Sequence, residues 1–399
     1  MMKKILFNFL LAIVCVFQIG STVLAAPGDL DTSFGTGGKV AVNLSPTSTG
    51  SGGLKAIVSP DGKTYQFGSI ATATVTSIAG IMRLTERGVL DPTFDGDGTL
   101  VCNFPDLSFS RFYSGSLQPD GKILAVGSAT RENVPYSLLA RFLPDGQLDT
   151  SFGGTGYVIF RNPGAIQVNF YWSNAAVQPG GKIVVAGALD YQMGAARFNA
   201  DGSLDTSFGT GGYRIVQASV LGELWDMKLT PDNRIVLVGK AETNFNDGNH
   251  SDYVLMKLTA DGQLDTGFGT GGINRFDLTP ATVSDTEVLQ SVQLLPDGKI
   301  LSFGRTGDSV VDAVIMRFLP NGQLDPGFGA NGVRIVDYNN QNNVGVDMAV
   351  QPDGKIVLVE TEGFNNFLVQ RLLPDGSFDS TFGTGGSVVI DMGGRDRPY

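Results

Sequence analysis

The sequence predicts an all-β fold: a β-propeller of six four-stranded blades plus one extra terminal strand. Three observations carry that expectation. The motif LDxxFG, or a close variant, occurs seven times, with its aspartates at Asp31, Asp91, Asp149, Asp205, Asp265, Asp325 and Asp379, spaced by 60, 58, 56, 60, 60 and 54 residues. A turn of the PDGK type occurs six times between those motifs. No stretch of the repeats shows the 3.6-residue period of an amphipathic helix, whereas short apolar and alternating runs are frequent.

Each element of one repeat has its own reason. The turn reads SPDGK at Ser59, QPDGK at Gln118, QPGGK at Gln178, TPDNR at Thr230, LPDGK at Leu295 and QPDGK at Gln351. Proline pre-sets φ, aspartate caps locally and glycine accepts positive φ, which is hairpin chemistry. An apolar run ending in glycine follows, such as ILAVG from Ile123, IVVAG from Ile183, IVLVG from Ile235 and ILSFG from Ile300. A short β-branched run of this kind suits a strand buried on both faces. The sixth unit departs from it, with Glu360 in place of the glycine.

The next strand carries a basic residue: Arg83, Arg141, Arg197, Lys257, Arg317 or Arg371, each eight residues before a motif aspartate. Each pair is expected to tie a blade corner by a charge-assisted hydrogen bond. The LDxxFG segment is the glycine-rich corner, and a last strand such as KVAVNL, TLVCNF, YVIF or VRIVDY follows it. Four strands per repeat of roughly 40–60 residues is the arithmetic of a propeller blade.

These two motifs, GxLDxxFGxxG and QPDGKIvvaG in fixed order, resemble those of the Delta-60 repeat family, and the resemblance covers nearly all of the chain from Gly28 onward. It implies a bacterial extracytoplasmic β-propeller and names no reaction. The PDGK hairpin is also similar to that of the Tol-system periplasmic propellers, which implies that the strand before the turn is the innermost of its blade.

The turn-bearing pieces number six, but the strand after LDxxFG occurs seven times, the first copy being Lys39 to Leu44. This orphan is expected to complete the last blade and so remove exposed edges. The ending DMGGRDRPY matches the start of a further inner strand, so an incomplete seven-bladed propeller is the alternative.

The N-terminus reads as a secretion signal, residues 1–25: Lys3 and Lys4, an apolar stretch from Ile5 to Ile19, then small residues with cleavage after Ala25. Residues 26–399 are expected to form a single propeller domain, secreted or periplasmic, with display at the cell surface as a further option. No segment is long enough to span a membrane. Losing the signal's two lysines takes the formal charge from −11 to −13, which argues against nucleic acid as a partner. It also leaves one cysteine, Cys102, so no intramolecular disulfide forms. A monomer is expected.

The candidate recognition surface lies where the repeats differ. Five residues before each turn proline stand Lys55, Ser114, Asn174, Asp226, Ser291 and Asp347, polar in all six units and variable in identity. On an innermost strand they would lie near a central channel, and ordinary strand alternation is the plainer reading of them. Phe112, Tyr113, Tyr171, Trp172 and Trp225 fall beside this set, where an aromatic ring stacks on a sugar or fills space between blades.

Other chemistry is sparse. Calcium needs six to eight oxygens, and only Asp91, Asp95 and Asp97, or Asp247, Asn249 and Asp252, cluster acids closely in sequence. His250 is the sole histidine, so a multi-histidine metal centre is excluded, and no GxSxG elbow accompanies it. No metal or cofactor is expected. The function expected is a non-catalytic binding or scaffold module with an unidentified ligand, a glycan or a protein. The alternatives are a polysaccharide hydrolase or lyase using channel-mouth carboxylates, and a repeat stub of a larger surface protein.

Overall fold

The computed structural model describes residues 26–42, 50–71, 77–161, 170–189, 192–216, 221–242, 251–278, 287–307, 311–363 and 366–392. They form twenty-four strands in six four-stranded antiparallel sheets, the blades of a β-propeller, each built from strands consecutive in the chain. The first blade is β1 (Gly50–Val58), β2 (Thr64–Ala71), β3 (Ile78–Leu84) and β4 (Thr99–Val101). The second is β5 (Phe109–Leu117), β6 (Ile123–Arg131), β7 (Val134–Phe142) and β8 (Tyr157–Phe160). The third is β9 (Phe170–Val177), β10 (Ile183–Leu189), β11 (Gln192–Phe198) and β12 (Tyr213–Val216). The fourth is β13 (Leu221–Leu229), β14 (Ile235–Glu242), β15 (Ser251–Leu258) and β16 (Ile273–Phe276). The fifth is β17 (Val288–Leu294), β18 (Ile300–Thr306), β19 (Asp312–Phe318) and β20 (Val333–Val336). The sixth is β21 (Gly345–Val350), β22 (Ile356–Glu362), β23 (Asn366–Leu372) and β24 (Ser387–Ile390). Among the described residues there is no α-helix, only a 3-10 turn at Pro179–Gly181.

The chain divides into two compact units, one spanning Leu30–Tyr191 and Ala195–Thr206, the other Ser207–Tyr399 with Gln192–Gly194 and the segment ending at Asp29. In the first unit, one cluster unites Tyr65, Phe67 and Ile81 of the first blade with Phe112, Leu138 and Phe142 of the second. In the second unit, Val236, Val238 and Leu255 of the fourth blade meet Leu289, Val314 and Met316 of the fifth, and Leu301, Phe303 and Ile315 of the fifth meet Ile356 and Leu358 of the sixth. The middle strands are therefore apolar on both faces because each face meets another sheet. A fully buried phenylalanine such as Phe67 contributes about 1.5–3 kcal/mol by leaving water.

The eight-residue spacing is a fold-back. The Asp91 amide donates to the Arg83 carbonyl, and the same bond joins Asp149 to Arg141, Asp205 to Arg197, Asp265 to Lys257, Asp325 to Arg317 and Asp379 to Arg371. The side chains then meet: Arg Nε lies 2.9 Å from the carboxylate at Arg83–Asp91, 2.7 Å at Arg141–Asp149, Arg197–Asp205 and Arg317–Asp325, and 2.8 Å at Arg371–Asp379. The hairpin lysine reaches the same oxygen, at 3.2 Å from Lys63, 3.1 Å from Lys122, Lys299 and Lys355, and 2.6 Å from Lys182. The other carboxylate oxygen accepts the amide two residues on, at Thr93, Ser151, Gly267, Gly327 and Thr381. The guanidinium lies over the corner phenylalanine, 4.8 Å from Phe94, 4.6 Å from Phe152 and 4.7 Å from Phe328 and Phe382. Burial raises the Asp91 carboxyl, but the Thr93 hydroxyl and amide, Lys63 and Arg83 outweigh it and hold it at about 2; Ser151, Lys122 and Arg141 do the same for Asp149. The repeated charged positions are structural, as expected.

Corners also bind the next corner. In the first unit, the Gly35 amide donates to the Arg87 carbonyl, Asp95 to Asp145 and Gly153 to Asp201; in the second, Gly209 to Asp261, Gly269 to Asn321, Gly329 to Asp375 and Gly383 to Pro27, all at 2.7–2.9 Å. The glycine that opens the motif is required by this contact. A Cβ on Gly262, where φ is +79°, would lie 2.6 Å from the Phe208 ring of the preceding corner. Position 23, eight before Asp31, is a valine rather than a basic residue, and Asp31 caps Ser33 alone among the described residues. Its Phe34, Val40 and Val42 cover Ile70, Met82 and Leu84. Within the expected strand Lys39–Leu44, the described part carries only the isolated bridge Thr36–Lys39, and residues 43–49 lie outside the described residues.

Candidate inner-strand binding surface

Every first strand slips by one residue at the same step. The register shifts between Gly53 and Lys55 in β1, Phe112 and Ser114 in β5, Trp172 and Asn174 in β9, Leu224 and Asp226 in β13, Leu289 and Ser291 in β17, and Gly345 and Asp347 in β21. The extra residues are Leu54, Tyr113, Ser173, Trp225, Gln290 and Val346. A bulge throws one side chain out of alternation and brings the local backbone closer to its partner strand. The glycine ending the apolar run accepts that approach. A Cβ on Gly127 would lie 1.8 Å from the Arg111 carbonyl, on Gly187 2.0 Å from Tyr171, on Gly239 1.9 Å from Glu223 and on Gly304 1.8 Å from Val288. In the sixth blade the pairing is reversed, with Gly345 on the first strand opposite Glu360 on the second.

The six variable polar residues are therefore the first to pair after each bulge. Within the first unit β1 packs on β5 and β5 on β9; within the second, β13 packs on β17 and β17 on β21. Ser114, Asn174, Asp226 and Ser291 are buried, whereas Lys55 and Asp347 are half-buried. In the second unit the set is brought together. Asp226 Oδ2 accepts the Val292 amide of the neighbouring blade at 2.9 Å, while its Oδ1 accepts the Met227 amide at 2.8 Å. Ser291 Oγ donates to Asp347 Oδ1 at 2.6 Å, and the Met348 amide donates to the same oxygen at 2.9 Å. In the first unit, Lys55, Ser114 and Asn174 hold the equivalent step of β1, β5 and β9.

The two tryptophans part company at the bulge. Trp172 is the residue before it, fully buried and stacked on Phe160 at 5.6 Å and 29°, so it fills space between strands and no ligand reaches its face. Trp225 is the bulged residue itself and is 39% exposed. Phe112 follows Trp172 into the core, whereas Tyr113 and Tyr171 are half-buried, their ring centroids 5.3 Å apart at 48°. The Arg111 guanidinium sits 5.6 Å from the Tyr113 centroid, and Ser128 Oγ lies 3.4 Å from the Tyr113 hydroxyl. Sequence reasoning passed over Arg111 because it fits no repeat position.

The calcium candidates do not converge. Asp91 is held by Arg83 and Lys63, Asp97 caps Thr99, and Asp95 accepts the Gln147 side chain. Asp252 pairs with Arg275, while Asp247, Asn249 and His250 lie outside the described residues. Among the described residues no group of three metal-ligating side chains forms. Cys102 is buried, and burial pushes its thiol up. No helix among the described residues is long and apolar enough to cross a membrane.

Five segments, residues 118–152, 178–208, 230–268, 295–328 and 351–382, match the family model described as domain of unknown function (DUF5122) beta-propeller. Each runs from the hairpin turn to the corner phenylalanine, so the same β-propeller repeat model is matched five times along the chain. A search of the curated proteins finds no match. Among solved structures, the chain is similar to a catalytically inactive virginiamycin B lyase from Staphylococcus aureus with quinupristin, at 13% identity and TM-score 0.48, covering 88% of this chain and 87% of that one. It is also similar to Penicillium chrysogenum alpha-L-arabinanase, at 13% identity and TM-score 0.41, covering 70% and 85%. YCF48 bound to D1 peptide matches at 15% identity and TM-score 0.44, covering 88% and 85%.

Proposed function

We propose that this chain is an extracytoplasmic recognition or scaffold module of the Delta-60 repeat type, exported by its N-terminal segment and without catalytic activity. One observation carries the non-catalytic part. The inner-strand carboxylate Asp226 accepts a backbone amide on each oxygen and is only 2% exposed, while Asp347 Oδ1 accepts the Met348 amide and the Ser291 hydroxyl. Glycoside hydrolysis needs two carboxyl groups facing the scissile bond across a substrate-filled gap. Carboxylates that hold neighbouring strands together are not free to face one. The aromatic side chains at the same level, the half-buried Tyr113 and Tyr171 and the 39%-exposed Trp225, suit contact by stacking rather than proton transfer.

The test is a panel of soluble polysaccharides and peptides presented to the mature chain, read for binding and for release of reducing ends. Binding without turnover is expected, together with a mature N-terminus at Ala26 by mass spectrometry. Turnover that disappears in Asp347→Asn would overturn the reading in favour of a hydrolase.

A further inference from the structure

The cluster at Arg111 has the makings of a selective site within the first unit. Arg111 and Tyr113 lie on β5, Ser128 on β6 and Tyr171 on β9, so two neighbouring blades contribute. Ring contact links the two tyrosines, and the guanidinium lies over the Tyr113 ring. Arg111 Nε is buried and has no hydrogen-bond acceptor among the described residues, and no carboxylate pairs with its side chain there. Every corner arginine, by contrast, is paired with an aspartate. Arg214, Arg305 and Arg334 also have a buried Nε without an acceptor among the described residues, and of the four it is Arg111 that lies beside a pair of tyrosine rings there. Leaving a guanidinium donor without an acceptor is costly, and a ligand anion removes that cost.

The chemistry of these groups is specific. A guanidinium fork reads a planar carboxylate bidentately. Two tyrosine rings tilted at 48° offer flat apolar faces with hydroxyls at their edges, the surface on which the C–H face of a pyranose ring stacks. A carboxylate fixed to such a ring would meet arginine and tyrosine at once, because the two groups lie only 5.6 Å apart. We propose that Arg111, Tyr113, Ser128 and Tyr171 form a binding site for an acidic sugar, a uronate residue of a polysaccharide. This rests on the reading of the chain as a recognition module and names its ligand class.

The test is calorimetric titration of the mature chain with an oligogalacturonate, a neutral galacto-oligosaccharide of equal length and an aspartate-rich peptide. The oligogalacturonate is expected to bind and the other two are not. Arg111→Gln should weaken binding by about tenfold or more, a loss of about 1.4 kcal/mol. Arg111→Lys should recover part of that loss, and Tyr171→Leu should weaken binding with the thermal midpoint unchanged. Equal binding of the neutral oligosaccharide, preference for the acidic peptide, or no binding of the uronate overturns the assignment. Uronate binding indifferent to both Arg111→Gln and Tyr171→Leu overturns the site while leaving the recognition reading standing. Uronate binding that depends on Arg111 but is followed by bond cleavage keeps the site and overturns the non-catalytic reading.

Discussion

Arg234 and Lys257 have exchanged the places that arginine and lysine hold in the other five blades, and both still converge on Asp265. Arg234 Nη1 lies 2.6 Å from the carboxylate and Lys257 Nζ 3.9 Å from it, whereas in the other five blades the strand arginine lies at 2.7–2.9 Å. The lysine also takes the arginine's place over the corner ring, 5.5 Å from Phe268. The corner therefore needs one forked cation and one point charge around its aspartate, and either side can supply the fork.

That symmetry predicts a compensating pair. Arg234→Lys leaves two point charges around Asp265 and should lower the denaturation midpoint. Adding Lys257→Arg should restore most of the loss, whereas Asp265→Ala should cost more than Arg234→Lys, because Lys257 loses its carboxylate while Arg234 keeps Asp232. Denaturation midpoints of the single and double variants give the coupling directly. Losses that simply add would show that the two positions act independently.

The corners also set the acid limit of stability. Asp91 and Asp149 stay ionised down to about pH 2, against an unfolded value of about 3.9. Their folded pKa is depressed, so their stabilisation is complete above about pH 4 and is lost as pH falls through about 2. Each shift of this size corresponds to about 2–3 kcal/mol. Thermal midpoints measured from about pH 6 down to about pH 2 should fall less steeply in Asp149→Asn than in the wild type, although the variant starts lower. Parallel curves would refute the assignment.

The corner network was legible because its parts are local. A basic residue eight positions before an aspartate, and an FG dipeptide three positions after it, recur in register, and the fold-back turns that spacing into contact. The inner-strand surface was less legible. Counting back from the turn proline lands on the residue after the bulge in every blade, but simple alternation cannot tell Trp172, before the bulge, from Trp225, on it. The one local signal was the glycine closing five of the six apolar runs, since glycine inside a strand marks a bulge or a close backbone approach. That Gly345 stands opposite Glu360 is visible only once the register of β21 and β22 is known.

The same glycine gives a sharp contrast. Gly239→Ala would drive a Cβ to 1.9 Å from the Glu223 carbonyl, and a backbone atom paired in a bulge has nowhere to move. Gly211, with φ of +67°, has nothing within 4 Å of the place a methyl group would take, so its alanine variant meets only backbone strain of about 1–2 kcal/mol. Gly239→Ala should therefore destabilise clearly more than Gly211→Ala in urea titration. Equal losses would mean that the bulge relaxes freely.

Glu360, the residue opposite the bulge in the sixth blade, gives a pH dependence of the opposite sign. It is fully buried, and neither carboxylate oxygen has a hydrogen-bond partner among the described residues. By strand alternation it follows Ile356 and Leu358 on the face that packs against Leu301 and Phe303 of the fifth blade. Burial, and then the negative charge of Asp312, push its carboxyl well above the usual range. Asp312 is itself raised, by burial and then by Asp337, and as a like charge it adds to the cost of ionising Glu360. An acid whose folded pKa is raised favours the folded state fully below the unfolded value of about 4.3, and that advantage drains away as pH rises toward the folded pKa. Glu360→Gln keeps the shape and removes the proton. It should match the wild type near about pH 4 and become progressively more stable than it toward about pH 9, as read from denaturation midpoints. A wild-type minus variant difference that stays flat across that range would show that Glu360 ionises without cost in the folded chain.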